Sequence, residues 1–235
     1  AVLAENLRAL EMAASNNSVP VISTKITGLI DHAILEKMHN KEDLTDGEKR
    51  KYQHLFERLD KICSKAMELD ISIFVDAEES WLQDPIDELV MQMSEKYNKD
   101  HAIVYNTYQL YLKSKLDHIK RDHKRCLKNG VVFGCKMVRG AYMEKERLRA
   151  EEMKYEDPIQ PDKAATDHDF NEGIRYCVEN YESISSCCAS HNMESNLLQA
   201  QLIHEKGIAH NHLHIKFCQL YGMSDNITYN LAHAG

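Results

Sequence analysis

Six short runs of β-branched and apolar residues alternate with long amphipathic helical stretches along this chain. The runs lie at residues 21–27, 71–77, 102–108, 131–138, 184–190 and 214–220. Helical patterns lie between or after them, near 48–69, 84–97, 109–129, 144–155, 166–182 and 193–206, and Gly130 and Gly207 are placed to end two of these helices. Strands that alternate with helices in this way predict βαβ units and a parallel sheet covered on both faces.

The spacing of the predicted strands favours a barrel over an open sheet. Successive strands start 50, 31, 29, 53 and 30 residues apart. The three shorter spacings are close to the repeat of a (β/α)8 barrel, and the two longer ones imply insertions after the first and fourth strands. No strand is followed by GxGxxG or GxxxxGK[ST], the signatures of doubly wound nucleotide-binding folds. We therefore predict an α/β fold, a distorted (β/α)8 TIM-type barrel.

About six strands are present, whereas a closed barrel needs eight. We therefore expect the barrel to be C-terminally truncated in this chain. No shift in composition marks a linker, so residues 21–235 are predicted to form one barrel domain, preceded by a helical segment at 1–20. The opening residues AVLAENLRALEMAA lack the features of signal and transit peptides, and no targeting segment is predicted there.

Composition excludes several classes of function. The chain has 235 residues, 43% of them hydrophobic, and a net charge of −8 with a pI near 5.9. Nucleic acid is not an expected partner, because phosphate-backbone binding relies on a basic surface. No apolar run approaches the ~18 residues of a membrane span. Seven cysteines without a CxxC pair indicate buried thiols in a reducing compartment rather than disulfides or a zinc ribbon.

Polar side chains end every predicted strand. In a barrel the active site lies at the carboxyl ends of the strands, so these side chains are candidate functional groups. They are Lys25, Asp76 with Glu78 and Glu79, Asn106 and Gln109, Lys136 with Arg139–Tyr142, Ser190–Asn192, and Gln219. Charges next to apolar strand residues generally need a partner or a ligand. A set of cations and anions of this kind suits a charged small substrate or an electron-rich cofactor.

Histidines also alternate along one predicted strand face, at His210, His212 and His214. Imidazoles two residues apart can converge on zinc, but these lie at the amino end of the sixth strand, away from a barrel's catalytic end. A solvated loop is therefore the favoured interpretation.

Seven segments form an ordered set along the chain. They are KITGL (25–29), FVDAEES (74–80), YNTYQLYLK (105–113), KMVRGAYMEKERLRA (136–150), YEDPIQP (155–161), ASHN (189–192) and QLYGM (219–223). GAY or SHN alone would be a weak signal, whereas the ordered set with VRGAYMEKER at its centre is highly specific. Covering about residues 21–235, it resembles the proline dehydrogenase family in its mitochondrial, animal-like form.

The resemblance implies a flavoprotein oxidoreductase of proline catabolism. Such proteins bind FAD non-covalently and oxidise L-proline to Δ1-pyrroline-5-carboxylate, the first step of proline degradation to glutamate. Electrons pass to ubiquinone, so the resemblance also implies a mitochondrial location on the matrix side of the inner membrane, with peripheral membrane association.

The resemblance also assigns roles to residues. Asp76 and Lys136 are the expected catalytic residues, with Lys136 standing where bacterial members carry an arginine beside flavin N5. Lys25 and Tyr142 are expected on the substrate side. The expected cofactor contacts are Ala77, Asn106, Val138, Arg139, Gly140, Ala141, Ser190, His191, Asn192 and Gln219. Hydride transfer puts negative charge on the reduced flavin, which a cation such as Lys136 would stabilise.

One feature of the family is not found in this sequence. Members continue with a further strand bearing a pocket tyrosine and with a helix carrying YLxRRxxEN, whose paired arginines grip the substrate carboxylate. No such motif follows the sixth predicted strand, so we expect residues 1–235 alone to bind proline and FAD poorly.

Three alternatives stay open. The first is hydroxyproline dehydrogenase, a paralogue with the same chemistry. The second is a metal-dependent barrel hydrolase that uses the histidine cluster. The third is a catalytically inactive barrel that acts as a binding module.

Overall fold

The computed structural model describes residues 2–235 and contains all six predicted strands. The strands are β1 (Val21–Thr24), β2 (Ser72–Val75), β3 (Val104–Gln109), β4 (Phe133–Val138), β5 (Ile184–Ala189) and β6 (Ile215–Cys218). They form one sheet in the order β1-β2-β3-β4-β5-β6. The pairs β1/β2, β2/β3 and β5/β6 are parallel, with Val21 opposite Ser72, Ile73 opposite Val104 and Ser186 opposite Ile215. The predicted parallel sheet is confirmed.

Helices connect the strands. They are α1 (Val2–Ala14), α2 (His32–His39), α3 (Asp46–Leu69), α4 (Ser80–Tyr97), α5 (Lys115–Asn129), α6 (Met143–Met153), α7 (Lys163–Glu179), α8 (Met193–Glu205) and α9 (Asp225–Ala234). Both predicted insertions are present, because two helices follow β1 and two follow β4. None of the helices among residues 2–235 has the length and apolar character needed to cross a bilayer.

The first predicted strand is shorter than its apolar pattern suggests. β1 ends at Thr24, and Ile26–Gly28 form a single 3-10 turn. The reason lies in Thr27, whose backbone N–H donates to Glu78 Oε1 at 3.0 Å. That bond takes a donor that a longer strand would have used in the sheet. Helices α2 and α9 were not predicted from the sequence.

The chain divides into two compact units. The first contains the residues up to Thr107 together with Asn129–Gly134. Its core is aliphatic and includes Leu10 of α1, Leu55 and Leu59 of α3, and Ile86 of α4, all fully buried. The N-terminal helix is therefore part of this core, and a domain boundary at residue 20 stays a prediction.

The second unit contains Tyr108–Lys128 and Cys135–Gly235. Phe170 and Ile174 of α7 and Ile184 of β5 are fully buried in it. Two sulfur-containing side chains also pack in its interior, where Cys177 Sγ lies 4.0 Å from Met137 Sδ. All seven cysteines lie in the described part of the chain and are free, and six are buried, as the sequence predicted.

Candidate cofactor and substrate site

In the first unit, the ends of β1 and β2 bring two predicted site residues together. Lys25 Nζ lies 3.5 Å from Asp76 Oδ2. The Asp76 backbone N–H donates to Thr24 O at 2.9 Å, which continues the β1/β2 pairing to the position where both side chains emerge. Half of the Lys25 side chain is exposed and Asp76 is partly buried, so the ion pair contributes little to stability and leaves both groups accessible to a ligand.

Behind this pair lies a buried polar network. The Glu78 carboxylate is 4% exposed and accepts hydrogen bonds from the Thr27 backbone and hydroxyl. Its own backbone N–H donates to Gln83 Oε1 at 2.8 Å. Gln83 and Asn106 both donate to one oxygen of Asp87, at 2.7 and 2.8 Å. The predicted cofactor contact Asn106 is therefore held in a fixed orientation.

Ala77, a predicted backbone contact of the cofactor, is buried between Asp76 and Glu78. Asp76 and Ala77 thus follow the end of β2, as the sequence predicted, whereas Asn106 lies within β3 and not at its end. Hydrogen bonds through Glu78, Gln83 and Asp87 connect the two segments within the first unit.

In the second unit, Arg139 is the centre of the predicted cofactor-binding residues. Its Nε lies 2.7 Å from Asp167, and its terminal nitrogens donate to Ser190 Oγ at 2.8 Å and Ser195 Oγ at 3.0 Å. The guanidinium also stacks over the Phe170 ring, 4.4 Å from its centre. Every guanidinium nitrogen has a partner, which orients the loop that follows β4.

The Asp167 carboxylate balances this cation. Burial raises the pKa of Asp167, but hydrogen bonds from Lys163 and Arg139 outweigh burial and hold the pKa below its usual value. The group therefore remains an anion at neutral pH, and the Arg139 contact is charge-assisted.

The loop after β5 is joined to the same cluster. The Asn192 backbone donates to Ser190 Oγ, and the Asn192 side chain caps α8 by accepting from the Ser195 N–H at 2.9 Å. Gln219 donates to the Ser190 carbonyl at 3.2 Å. The predicted cofactor residues Asn192 and Gln219 thus both contact Ser190, which in turn contacts Arg139.

His191, between Ser190 and Asn192, contacts the backbone that follows Gln219. It is exposed, and its Nε2 accepts the Leu220 backbone N–H at 2.9 Å. Because a backbone N–H can only donate, this contact requires an unprotonated Nε2 and places the proton of the neutral ring on Nδ1.

A cavity of about 810 Å³ opens beside the loop after β4. Arg139, Gly140, Ala141 and Tyr142 line it, and Lys163 stands at the start of α7 on its wall. Gly140 has a φ of +136°, and a Cβ atom there would lie 2.5 Å from the Tyr111 ring. Only glycine lets this loop lie against the aromatic ring. The Tyr142 N–H also donates to Tyr111 Oη, at 3.3 Å.

Lys136 and Val138 are partly buried residues of β4. A hydrogen bond with Cys218 and burial raise the pKa of the Cys187 thiol, and the positive charge of Lys136 acts in the opposite direction. The ammonium therefore lies near Cys187 of the neighbouring strand. The Val138 carbonyl accepts the Leu110 N–H at 2.9 Å, which fixes the end of β4.

The three alternating histidines are used in local contacts. His210 and His214 contact backbone carbonyls, those of Ala234 and Tyr181, each at 2.8 Å. The His212 ring packs edge-on against Tyr181, 5.0 Å between ring centres. Within residues 2–235, no group of three His, Cys, Asp or Glu side chains is arranged to hold a metal ion. The hydrolase alternative therefore gains no support from the described geometry.

The sequence did not reveal the residues that hold these side chains. Asp87 and Gln83 look like ordinary positions of a helix, and Asp167 and Ser195 lie in helices far along the chain from Arg139. A weak signal existed in two spacings, Gln83/Asp87 and Lys163/Asp167, which put polar side chains one helical turn apart.

Comparison with known proteins decides the family. The family model described as proline dehydrogenase matches residues 2–235. The chain belongs to the proline dehydrogenase family. It is 36% identical over 198 residues to "Proline dehydrogenase 1, mitochondrial" of Drosophila melanogaster, which covers 80% of this chain and 29% of that protein. It is also 29% identical over 259 residues to "Hydroxyproline dehydrogenase" of Xenopus laevis, covering 97% of this chain and 56% of that protein.

The fold of this proline dehydrogenase family member also matches solved structures. It superimposes on proline utilization A from Bdellovibrio bacteriovorus, inactivated by N-propargylglycine, with a TM-score of 0.84 at 19% identity. The match covers 99% of this chain and 25% of that one. The predicted fold class, a distorted barrel with six strands present, is confirmed. The chain spans about a third or less of the Drosophila and Bdellovibrio proteins.

Proposed function

We propose that this chain carries the flavin-binding and substrate-binding residues of an L-proline dehydrogenase. The observation that carries the proposal is the proline dehydrogenase family match over residues 2–235, which covers every candidate site residue named above. The proposed reaction is oxidation of L-proline to Δ1-pyrroline-5-carboxylate, with FAD as the cofactor and ubiquinone as the electron acceptor.

The residues present fit a dinucleotide cofactor. A cavity of about 810 Å³ is in the size range of small-molecule and cofactor sites. Its wall combines the main chain at Gly140 and Ala141 with the cations Arg139 and Lys163, the groups that a pyrophosphate needs. Ser190, His191, Asn192 and Gln219 would extend this binding surface, and His191 would offer Nδ1–H as a donor.

A bound flavin would supply a hydride acceptor for the ring carbon of proline. The chain's own contribution is electrostatic, because negative charge that develops on the cofactor side needs a nearby cation. Lys136 of β4, two residues before the strand ends, is the residue proposed for that role. The fixed amide of Asn106 would present its remaining hydrogen-bonding capacity to the cofactor.

Lys25, Asp76 and Tyr142 are proposed to face the substrate. Proline carries one carboxylate and one amine, and Lys25 and Asp76 match these charges with opposite signs. The amine must lose its proton before hydride leaves. Asp76 would hold the pocket's cationic groups in place or contact the ring nitrogen, and the proton of the amine would go to a solvent water or to a side chain that the sequence does not identify.

A location in mitochondria is proposed from the names of the relatives, several of which are called mitochondrial. Transfer of electrons to ubiquinone would place the protein at the matrix side of the inner membrane, where a peripheral contact is sufficient.

4-Hydroxyproline is the second candidate substrate. The match to the Xenopus laevis hydroxyproline dehydrogenase covers nearly all of this chain, at 29% identity against 36% for the Drosophila proline dehydrogenase. Proline is therefore favoured.

The full-length protein should be assayed with a soluble ubiquinone analogue, comparing L-proline with trans-4-hydroxy-L-proline. We expect a higher kcat/KM for proline. Lys136→Met should lower kcat about 10²-fold, as removal of one charge-stabilising group does, while Lys136→Arg keeps the cation and most of the activity. Equal activity of the Met variant and the parent would refute the role of Lys136.

A further inference from the structure

Two buried polar residues of α4 have no role in the function proposed above. Gln83 is 1% exposed and Asp87 is 8% exposed, and they lie one turn apart on the inner face of the helix. A carboxylate in this position is costly to bury unless it is well hydrogen-bonded. Its partners therefore indicate what it does.

Asp87 holds two amide side chains with one oxygen atom. Its Oδ1 accepts from Gln83 Nε2 at 2.7 Å and from Asn106 Nδ2 at 2.8 Å. An ionised carboxylate can only accept hydrogen bonds, so it must face the NH₂ end of each amide. Asp87 thereby selects one of the two possible orientations for both Gln83 and Asn106.

The other end of each amide is also fixed. Gln83 Oε1 accepts the backbone N–H of Glu78 at 2.8 Å, and Asn106 Oδ1 accepts the backbone N–H of Thr107 at 3.0 Å. Glu78 is two residues after Asp76. A single carboxylate is thus connected to the segment after β2 and to the middle of β3.

We propose that Asp87 is a positioning residue for the flavin and substrate site. It sets the orientation of the Asn106 amide directly, and it sets the backbone at Glu78, next to the Asp76 segment, through Gln83. The part that concerns the flavin rests on the proposed function. The part that concerns the orientation of Asn106 does not.

Apolar replacement of a satisfied buried network is often nearly neutral for stability. The stability of the fold therefore does not explain why a carboxylate is buried at position 87. Its control over the orientation of the Asn106 amide does explain it.

The test uses the full-length protein with Asp87→Ala, Asn106→Ala, the double variant, and Asp87→Asn, which keeps an acceptor oxygen. The matched control is Asp84→Asn on the same helix, because two-thirds of the Asp84 side chain is exposed. FAD affinity is measured by titration of the apoprotein. We expect Asp87→Ala to raise the Kd about tenfold, which is about 1.4 kcal/mol, a change expected on losing one hydrogen bond to a charged group.

The double variant distinguishes positioning from general destabilisation. If Asp87 acts through Asn106, the double variant binds FAD no more weakly than Asn106→Ala alone, and Asp87→Asn recovers most of the affinity. Asp84→Asn should match the parent. Additive increases in Kd, or no effect of Asp87→Ala, would overturn the proposed effect on the cofactor.

A second measurement needs no ligand. Hydrogen exchange of the Asn106 side-chain NH₂, followed by NMR, should be slow in the parent and in Asp84→Asn, and faster in Asp87→Ala. Unchanged exchange in Asp87→Ala would refute the positioning role. A parent that binds no FAD would refute the proposed function instead, and the exchange measurement would still decide the role of Asp87.

Discussion

Replacing Arg139 by lysine keeps the positive charge but reduces the number of side-chain nitrogens from three to one. In the parent, each of the three guanidinium nitrogens has a hydrogen-bond partner. The ammonium can stay with the Asp167 carboxylate, to which Arg139 Nε lies at 2.7 Å. The acceptor oxygens of Ser190 and Ser195 then lose their guanidinium donors, and both serines are buried. Arginine and lysine are not equivalent at a forked, stacked site of this kind.

The expected cost follows from these contacts. Two hydrogen bonds from a charged donor contribute about 1 kcal/mol or more each, since the Arg139 side chain is 22% exposed and solvent weakens them. Stacking over Phe170 at 4.4 Å contributes about 0.5–1 kcal/mol. We therefore expect Arg139→Lys to lower the free energy of unfolding by about 2–3 kcal/mol.

Urea unfolding of the flavin-free protein measures this change. With an m-value of about 2–3 kcal/mol/M for a domain of this size, the midpoint should fall by about 1 M. The control is Arg175→Lys, because Arg175 is half-exposed and pairs with Glu172 of the same helix at 3.3 Å. That variant should stay within about 0.5 kcal/mol of the parent. An equally small effect of Arg139→Lys would refute the central position assigned to Arg139.

Two further predictions concern the stability of the protein, the first through the protonation of His123 and the second through alanine substitutions at Gly140 and Gly130. Burial lowers the pKa of His123, whose ring lies between the hydroxyls of Tyr176 and Ser183. Below about pH 6.5 the unfolded chain therefore binds a proton on His123 that the folded chain does not, and the free energy of unfolding should fall as the pH drops through that range. Urea unfolding from about pH 8 to pH 5 measures this decrease, and His123→Gln should make it smaller. Gly140→Ala, whose Cβ would lie 2.5 Å from the Tyr111 ring, should cost about 2 kcal/mol or more, whereas Gly130→Ala, at a φ of +63° with open space, should cost about 1 kcal/mol. Equal losses in thermal unfolding of the two glycine variants would contradict this account of the loop after β4.

The strands and most helices could be predicted because their signals are local. Period-two and buried apolar runs mark β2–β6, and the capping box of Thr45 and Glu48 stands at the start of α3. The end of β1 could not be predicted, because it depends on a bond from Thr27 to Glu78, 51 residues away. Helix α2 is short and half-polar, so its pattern is hard to separate from a loop.

The sequence could predict which residues near the strand ends belong to the site, but it could not predict which other side chains contact them. Lys25 and Asp76 could be placed as neighbours because adjacent parallel strands end at one edge of a sheet. The partners of Arg139 come from α7 and from the start of α8, and nothing in their own sequence marks Asp167 or Ser195 as contacts of the β4 loop. These contacts depend on how the helices pack in the folded protein, and a single sequence does not show which helices come together.

The central proposal is that this chain carries flavin-binding and substrate-binding residues of a proline dehydrogenase. The absorption spectrum of the purified full-length protein, recorded without oxygen before and after addition of L-proline, tests it most directly. We expect a flavin band at about 450 nm that is lost on addition of proline. A protein without that band, or with a band that proline leaves unchanged, would contradict it.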